Sequence, residues 1–309
     1  MKLRRAAATS GSAAIQIGVA NERETAVATA YDCNTGCSQS RTKNGLAQRN
    51  GSAGDAIPVP LLRPFFGYYG GKWRDAIKHY PEPKHDTIVE PFAGSAGFSL
   101  RYASRRILLC EIDPVLSEVW RFLIRAKSKE ILAIPDLDPQ GSVDDLKVSQ
   151  EAKWLVGFWL NRGTASPRKK PSKWMRDGIR PGSFWGSRVR ETIASQVNAI
   201  RHWKIYNCNY TDGPKPRVAT WFIDPPYAKA GEHYRFGSHQ IDYKALATWC
   251  RSRLGQAIVC ENAGATWLPF RHLADAKTTR ADHRSKEVYW LSSFERRNSG
   301  ARLSKRKGS

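Results

Sequence analysis

The chain has 309 residues, with 50 Lys+Arg against 28 Asp+Glu and a formal net charge of +22. That length carries one large domain with an insertion or two ordinary ones, and it buries a core without disulfide or metal staples. The charge favours a polyanionic partner, nucleic acid first, and no stretch approaches the ~20 consecutive apolar residues that a membrane span needs.

A basic tail explains part of the charge. Residues 293–309 carry six basic side chains and one acid, and Arg162–Arg190 carries nine and one, Asp177. The six cysteines are Cys33, Cys37, Cys110, Cys208, Cys250 and Cys260. Cys33 and Cys37 lack a second Cys or His pair to complete a zinc site, so no metal is expected. Cys110 and Cys260 lie in apolar runs, where a thiol is a small buried hydrophobe. This usage fits a reducing, intracellular compartment, and a cytoplasmic protein is expected. Lys2, Arg4 and Arg5 open the chain, but Thr, Ser, Gly and Gln break Ala6–Ala20, a poor signal peptide.

Residues 1–57 hold no Trp or Phe and show no sustained periodicity, so an unstructured extension is expected. From Pro58 the composition changes. Thr87–Val89 reads as a strand, Ala96–Ala103 as a helix and Ile107–Cys110 as a strand. Pro114 opens a helix to about Ala126, since proline suits a first helical turn. Asp144–Leu160 reads as helical, Asn161–Ser187 as ordered irregular chain and Arg190–Arg201 as a helix. Trp203–Tyr210 and Val218–Ile223 are strands, Tyr243–Arg253 a helix, and Ala257–Cys260 and Glu287–Ser292 strands. Strands alternating with helices predict an α/β fold with a mostly parallel sheet.

Four stretches carry chemistry. In FFGYYGGKW (65–73), Gly70-Gly71 permits a tight turn between aromatics and Lys72, which suits a cofactor with a carboxylate and an aromatic base, or a hydrophobic loop packed on the domain. In EPFAGSAGF (90–98), a strand ends in a turn where Gly94 and Gly97 allow close backbone approach of a ligand, and the next helix N-terminus favours polar or anionic groups. An ordinary strand-to-helix turn has the same composition. In LLCEIDP (108–114), Glu111 ends a second strand, where an acid accepts from ribose hydroxyls. Asp113 is placed for the same task or as a helix cap before Pro114.

In WFIDPPYAKA (221–230), Asp224 sits at the carboxyl end of an apolar strand. Two prolines fix φ and remove two donors, which leaves the Pro225 carbonyl as a fixed acceptor beside Asp224. With the Tyr227 ring adjacent, this set suits a planar group bearing an NH₂. Hydrogen bonds from both N–H atoms would draw the nitrogen toward a tetrahedral form and free its lone pair in the transition state. A rigid strand exit is the plainer alternative.

The order FFGYYGGKW, EPFAGSAGF, LLCEIDP, a basic variable stretch and DPPY resembles Dam-type (D12 class, alpha-group) DNA adenine-N6 methyltransferases over roughly residues 64–292. The resemblance implies a class I methyltransferase, Rossmann-like α/β fold that uses S-adenosylmethionine on a flipped-out adenine in double-stranded DNA, with no metal and no membrane partner. It assigns cofactor binding to Tyr68, Lys72, Glu90, Pro91, Phe92, Gly94, Gly97, Glu111 and Asp224. Tyr68 stands where the family often has Trp, and Glu111 where many members have Asp. Catalysis falls to Asp224, Pro225, Pro226 and Tyr227. Asn161-Arg162-Gly163 resembles a target-recognition segment, but the following TASPRKKPSKWMRDG departs from the Dam pattern, so no GATC target is inferred. Arg162, Arg168, Lys169, Lys170, Lys173, Arg176 and Arg180 are suited to phosphates or guanine edges. Trp174 and Trp185 either pack the insertion or fill the gap of an extruded base.

The expected organisation is an N-terminal extension at 1–57, a catalytic domain from 58–127 and 203–292, a target-recognition insertion at 128–202 and a basic tail at 293–309. RNA methylation at adenine N6 or guanine N2, and a catalytically silent DNA-binding protein of the same fold, are the alternatives.

Overall fold

Apolar runs of about five residues, most ending in an acid or amide, set the frame. In the computed structural model, which describes residues 61–161, 163–173, 176, 184–277 and 284–294, they form β1 (Thr87–Glu90), β2 (Arg106–Glu111), β3 (Lys204–Asn207), β4 (Ala219–Ile223) and β5 (Gly255–Asn262). These five are mutually parallel. An antiparallel pair, β6 (Arg271–Lys277) and β7 (Arg284–Phe294), completes the sheet in the order β3-β2-β1-β4-β5-β7-β6, with β7 antiparallel to β5. This is the Rossmann-like α/β architecture of the class I methyltransferase fold expected from the sequence.

The strands are apolar on both faces because the sheet is covered on both sides. Ile88, Ile107, Leu109, Phe222, Ile258 and Cys260 enter one apolar cluster. Their alternating neighbours Val89, Leu108, Trp221, Ile223, Ala257 and Val259 enter another. That period of two sorts each strand between two layers.

Five helices matter for the site's frame. α1 (Pro114–Arg125) starts as expected, with Asp113 accepting from Val115 N at 2.9 Å and Pro114 in the first turn. α2 (Ser128–Leu132) packs on α4 (Ser187–Gln196), and α3 (Gln150–Trp159) packs on α1. α5 (Tyr243–Arg251) covers the face of Trp221 and Val259. Leu137, Val143, Phe158, Trp185 and Ile193 of the 128–202 stretch share one apolar cluster with Ile88 and Phe222 of the sheet.

Several local expectations are corrected. Ala96–Ala103 is no α-helix: only a 3₁₀ turn forms, at Ser99–Tyr102. The Glu90 carboxylate captures the Ser99 N–H at 2.7 Å, which ties the start of that turn back to the end of β1. The helix expected over Asp144–Leu160 divides into a 3₁₀ turn at Val143–Asp145 and α3, because Ser142 and Ser149 each cap a separate start. The helix expected at Arg190–Arg201 begins earlier and passes into a 3₁₀ turn at Val197–Ile200. The strand expected at Trp203–Tyr210 is confined to Lys204–Asn207, and α2 adds a short helix to the expected elements. The extension 1–57, most of the tail 293–309, and Arg162, Trp174 and Arg180 lie outside the described residues.

Candidate active site

The chain lays down β1, β2 and β3 to one side and then returns to place β4 on the other side of β1. In a parallel sheet, the crevice beyond the carboxyl ends of two strands that diverge in this way is where ligands bind. An open cleft of about 190 Å³ lies there. Its walls come from the loop at 68–72, the loops after β1, β2 and β4, and the segment bearing Tyr234 and Arg235.

Glu90 ends β1. It is 2 % exposed, and burial pushes its carboxyl up to about 8, partly offset by the Ser99 backbone N–H. Gly94 holds φ +47°, a left-handed conformation that favours glycine, and a Cβ on it would meet the Tyr68 ring at 3.1 Å. A Cβ on Gly97 would lie 2.6 Å from Trp73 N and 2.9 Å from Lys72 N. The two glycines therefore admit the 68–73 loop, whereas the sequence suggested that they admit a ligand. The expected helix N-terminus is likewise engaged internally, through Ser99 and Glu90.

Glu111, at the end of β2, accepts from Gly94 N at 2.9 Å and from Asp113 N at 3.0 Å. Burial pushes its carboxyl up to about 7 against these two backbone donors. Each oxygen keeps a further acceptor lone pair, and the residue lines the cleft with Phe92 and Ile112. Trp120 of α1 donates its indole N–H to the Gly94 carbonyl at 2.7 Å, so a buried helix fixes this loop from behind. Asp113 caps α1, and the Arg235 guanidinium stands 3.6 Å from it.

At β4 the sequence puts an acid, two prolines and a tyrosine beyond five buried residues. Asp224 and Pro226 line the cleft. Among the described residues no loop or side-chain donor reaches the Pro225 carbonyl, while the Pro226 carbonyl accepts from Tyr243 OH at 2.5 Å. Gly231 packs on Pro226 so closely that a Cβ would fall 2.7 Å from its carbonyl carbon. The turn is thus braced on one side and open at one acceptor.

Lys72 binds these parts together. Its ammonium is 3.7 Å from Asp224 Oδ1, 3.6 Å from Glu287 Oε2 and 4.8 Å from the centre of the Tyr227 ring. Burial works against its charge, but Asp224 and Glu287 more than offset this and hold its pKa above the usual lysine value. Burial likewise pushes Asp224 up to about 6, with Lys72 opposing and Glu287 reinforcing the shift. The Tyr227 hydroxyl donates to Glu287 Oε2 at 2.7 Å.

The structure thus gathers Tyr68, Lys72, Glu90, Pro91, Phe92, Gly94, Gly97, Glu111, Asp224 and Pro226 around one cleft. Pro225 and Tyr227 adjoin it without lining it. Three residues not singled out by sequence belong here. Glu287 of β7 faces Asn262 across the sheet. Glu261 is the penultimate residue of β5 and accepts from Ala228 N and the Trp267 indole. Tyr234 donates to the Tyr69 carbonyl at 3.2 Å and lines the cleft. The rule that found Glu111, an acid ending an apolar run, also finds Glu261 in AIVCE; Glu287 and Tyr234 have no comparable signal.

The basic stretch joins the cleft through its backbone. Tyr69 N donates to the Thr164 carbonyl at 3.3 Å, and the Thr164 hydroxyl donates to the Asn161 carbonyl at 3.3 Å. Arg168, Lys169, Lys170 and Lys173 are exposed, Lys169 pairs with Asp144 at 2.9 Å, and Arg176 donates to the Pro171 carbonyl at 2.7 Å. Trp185 is a packing residue: it is buried and donates to the Pro135 carbonyl at 2.9 Å. Among the described residues, no helix is long and apolar enough to cross a membrane.

No family model and no curated protein matches the chain. Among solved structures it is similar to the rRNA methyltransferase aviRa from Streptomyces viridochromogenes, at 13% identity and a TM-score of 0.36, over 74% of this chain and 87% of that one. It is also similar to a conserved hypothetical protein of Streptococcus pyogenes, at 12% identity and a TM-score of 0.32, over 70% of this chain and 89% of that one.

Proposed function

We propose that the chain is a site-specific DNA adenine-N6 methyltransferase that takes its methyl group from S-adenosylmethionine. One observation carries the reading: Asp224 lines the cleft at the carboxyl end of β4, with Pro225 directly after it in the turn and Glu111 lining the same cleft.

The residues present fit the cofactor. Glu111 keeps acceptor capacity for a ribose diol, Phe92 and Ile112 offer apolar surface to an adenine ring, and Lys72 is a buried cation at the methionine end of the cleft. When bound, S-adenosylmethionine supplies an electrophilic methyl group, the C–S bonding pair staying with sulfur as the N–C bond forms. Asp224 and the Pro225 carbonyl accept the two N6–H bonds of the target base and free its lone pair toward that methyl. The Tyr227 ring, tethered by its hydroxyl to Glu287, gives the base a flat neighbour. Asp224 or solvent then takes one N6 proton from the nitrogen made cationic by transfer. A stacked adenine cannot bring N6 to such a site, so the base is turned out of the duplex. The +22 net charge and the exposed Arg168, Lys169, Lys170 and Lys173 supply phosphate contacts.

The test uses the full chain with methyl-labelled cofactor, unmethylated duplex DNA and, separately, RNA, followed by mass identification of the modified nucleoside. N6-methyladenine in DNA is expected, with a loss of about 100-fold or more in Asp224→Ala. Label in RNA or on guanine N2 would replace the substrate assignment. Wild-type protein that labels neither polymer yet binds DNA would support a catalytically silent DNA-binding protein.

A further inference from the structure

We propose that Glu287, which lies outside every motif of the sequence, is a positioning residue for the Asp224 carboxylate, acting through Lys72 and Tyr227; this rests on the methyl-transfer reading above. Lys72 Nζ stands 3.7 Å from Asp224 and 3.6 Å from Glu287, beyond hydrogen-bond length to either. All three side chains are largely buried, at 8%, 20% and 14% exposure, so water screens the charges weakly. A single ammonium is therefore shared between two carboxylates.

The sharing has a chemical consequence. If Lys72 collapsed onto Asp224, it would form a short charge-assisted bond and saturate the oxygen that must accept N6–H. Glu287 draws the ammonium back by an equal pull from β7. It also receives the Tyr227 hydroxyl, so one carboxylate fixes both the cation above the DPPY turn and the ring at its end. Glu287 is held in turn by the register of β7 on β5, opposite Asn262.

Other ionisable groups face Asp224 and stay constant in the comparison. Glu261 of β5 adds negative charge, and Glu90 of β1, Cys260, Tyr80, Tyr227 and Tyr234 are neutral neighbours raised by burial. Glu287→Gln keeps the size and a carbonyl acceptor for Tyr227 but removes the charge. Asp224 should then ionise at a pH roughly one unit lower, since a nearby like charge is gone and Lys72 is undivided. Lys72→Met should shift it in the opposite direction.

The readout is the carboxylate ¹³C titration of Asp224 in the ligand-free full chain, assigned by its loss in Asp224→Asn, with melting curves for each variant. Opposite shifts in Glu287→Gln and Lys72→Met support the inference. An unmoved Asp224 titration in a folded Glu287→Gln protein overturns it, and if that variant does not fold, a Lys72→Met protein without an upward shift does so. In turnover, Glu287→Gln should lower kcat about tenfold with KM for DNA unchanged and move the acidic limb of the pH profile down, as for a lost polar contact in the transition state. Wild-type protein without methyl transfer would sink the proposed function, and the titration would still decide the role of Glu287.

Discussion

Gly97→Ala separates ligand approach from loop packing at residues 90–98. The added Cβ would fall 2.6 Å from Trp73 N, 2.9 Å from Lys72 N and 3.1 Å from the Lys72 carbonyl carbon. All three are backbone atoms, so no side-chain rotation relieves the contact, and each distance is well inside the ~3.5–4.0 Å optimum between non-bonded atoms. Overpacking of this kind costs about 1–3 kcal/mol. In a fold of this size each kcal/mol moves Tm by roughly 2–4 °C, so a cost near 2 kcal/mol lowers it by about 4–8 °C. The measurement is a thermal melt of ligand-free protein, followed by circular dichroism or calorimetry. Because the strain falls on the backbone of Lys72, cofactor affinity should fall with stability. A ligand-free Tm within about 1 °C of wild type, combined with lost cofactor binding, would refute the packing argument and return Gly97 to the role of admitting a ligand.

The buried acids make stability depend on pH. The carboxyls of Glu90 and Glu111 are raised from the usual 4.5 to about 8 and about 7, so the folded chain holds their protons more tightly than the unfolded chain. Their contribution to stability is therefore full below pH 4.5 and lost as pH rises toward 8; Glu90→Gln should flatten the upper part of that decline, read as Tm against pH at fixed ionic strength. Gln256 is 0% exposed, accepts from Lys84 N and Thr220 Oγ1 at 2.9 Å and donates to the Glu82 carbonyl at 3.0 Å. Gln256→Leu strands these partners at the amino ends of the strands, away from the cleft, at a cost of roughly 2–4 kcal/mol, with activity per folded molecule retained. Lys170→Ala and Lys173→Ala should each weaken DNA binding evenly across sequences and reduce the salt slope of log K by about one, and unchanged slopes would remove these lysines from the interface.

What the sequence reveals about the site follows from the range of the interactions. Asp224 and Glu111 are legible because an acid directly after an apolar strand sits at a sheet edge whatever the neighbouring strands are. Glu261 obeys the same rule, but AIVCEN has no proline or glycine directly beside the acid to mark a ligand turn. Glu287 could not be read locally. It lies within a strand, on the same face as Tyr289 and Leu291 by alternation, and its meaning comes from the pairing of Asn262 with Glu287 that turns it toward Lys72. The 96–103 segment has helix-forming residues, but the Glu90 carboxylate overrides that propensity by holding Ser99 N. α2, five residues long, is too short to show a helical period.

The charge on this protein has opposite signs at two depths. The chain carries a net +22, and Arg168, Lys169, Lys170 and Lys173 are exposed. Beneath the surface, Lys72 faces Asp224 and Glu287 with Glu261 nearby, Glu111 is partly ionised at neutral pH, burial keeps Glu90 protonated, and Arg235 stands beside Asp113 at the rim. A phosphate attracted by the surface gains nothing by entering such a cleft, where buried acids outnumber the cation and repulsion is poorly screened. A neutral base and a sulfonium meet no such barrier, and the sulfonium is drawn by the acids. In the proposed reaction the outer charge therefore collects the polyanion, while the inner charge admits the uncharged base and the cationic donor and turns the backbone away. The two balances are set by different parts of the chain, exposed Lys and Arg of the 162–190 stretch for one and strand-end acids for the other, so each is open to mutation without disturbing the other.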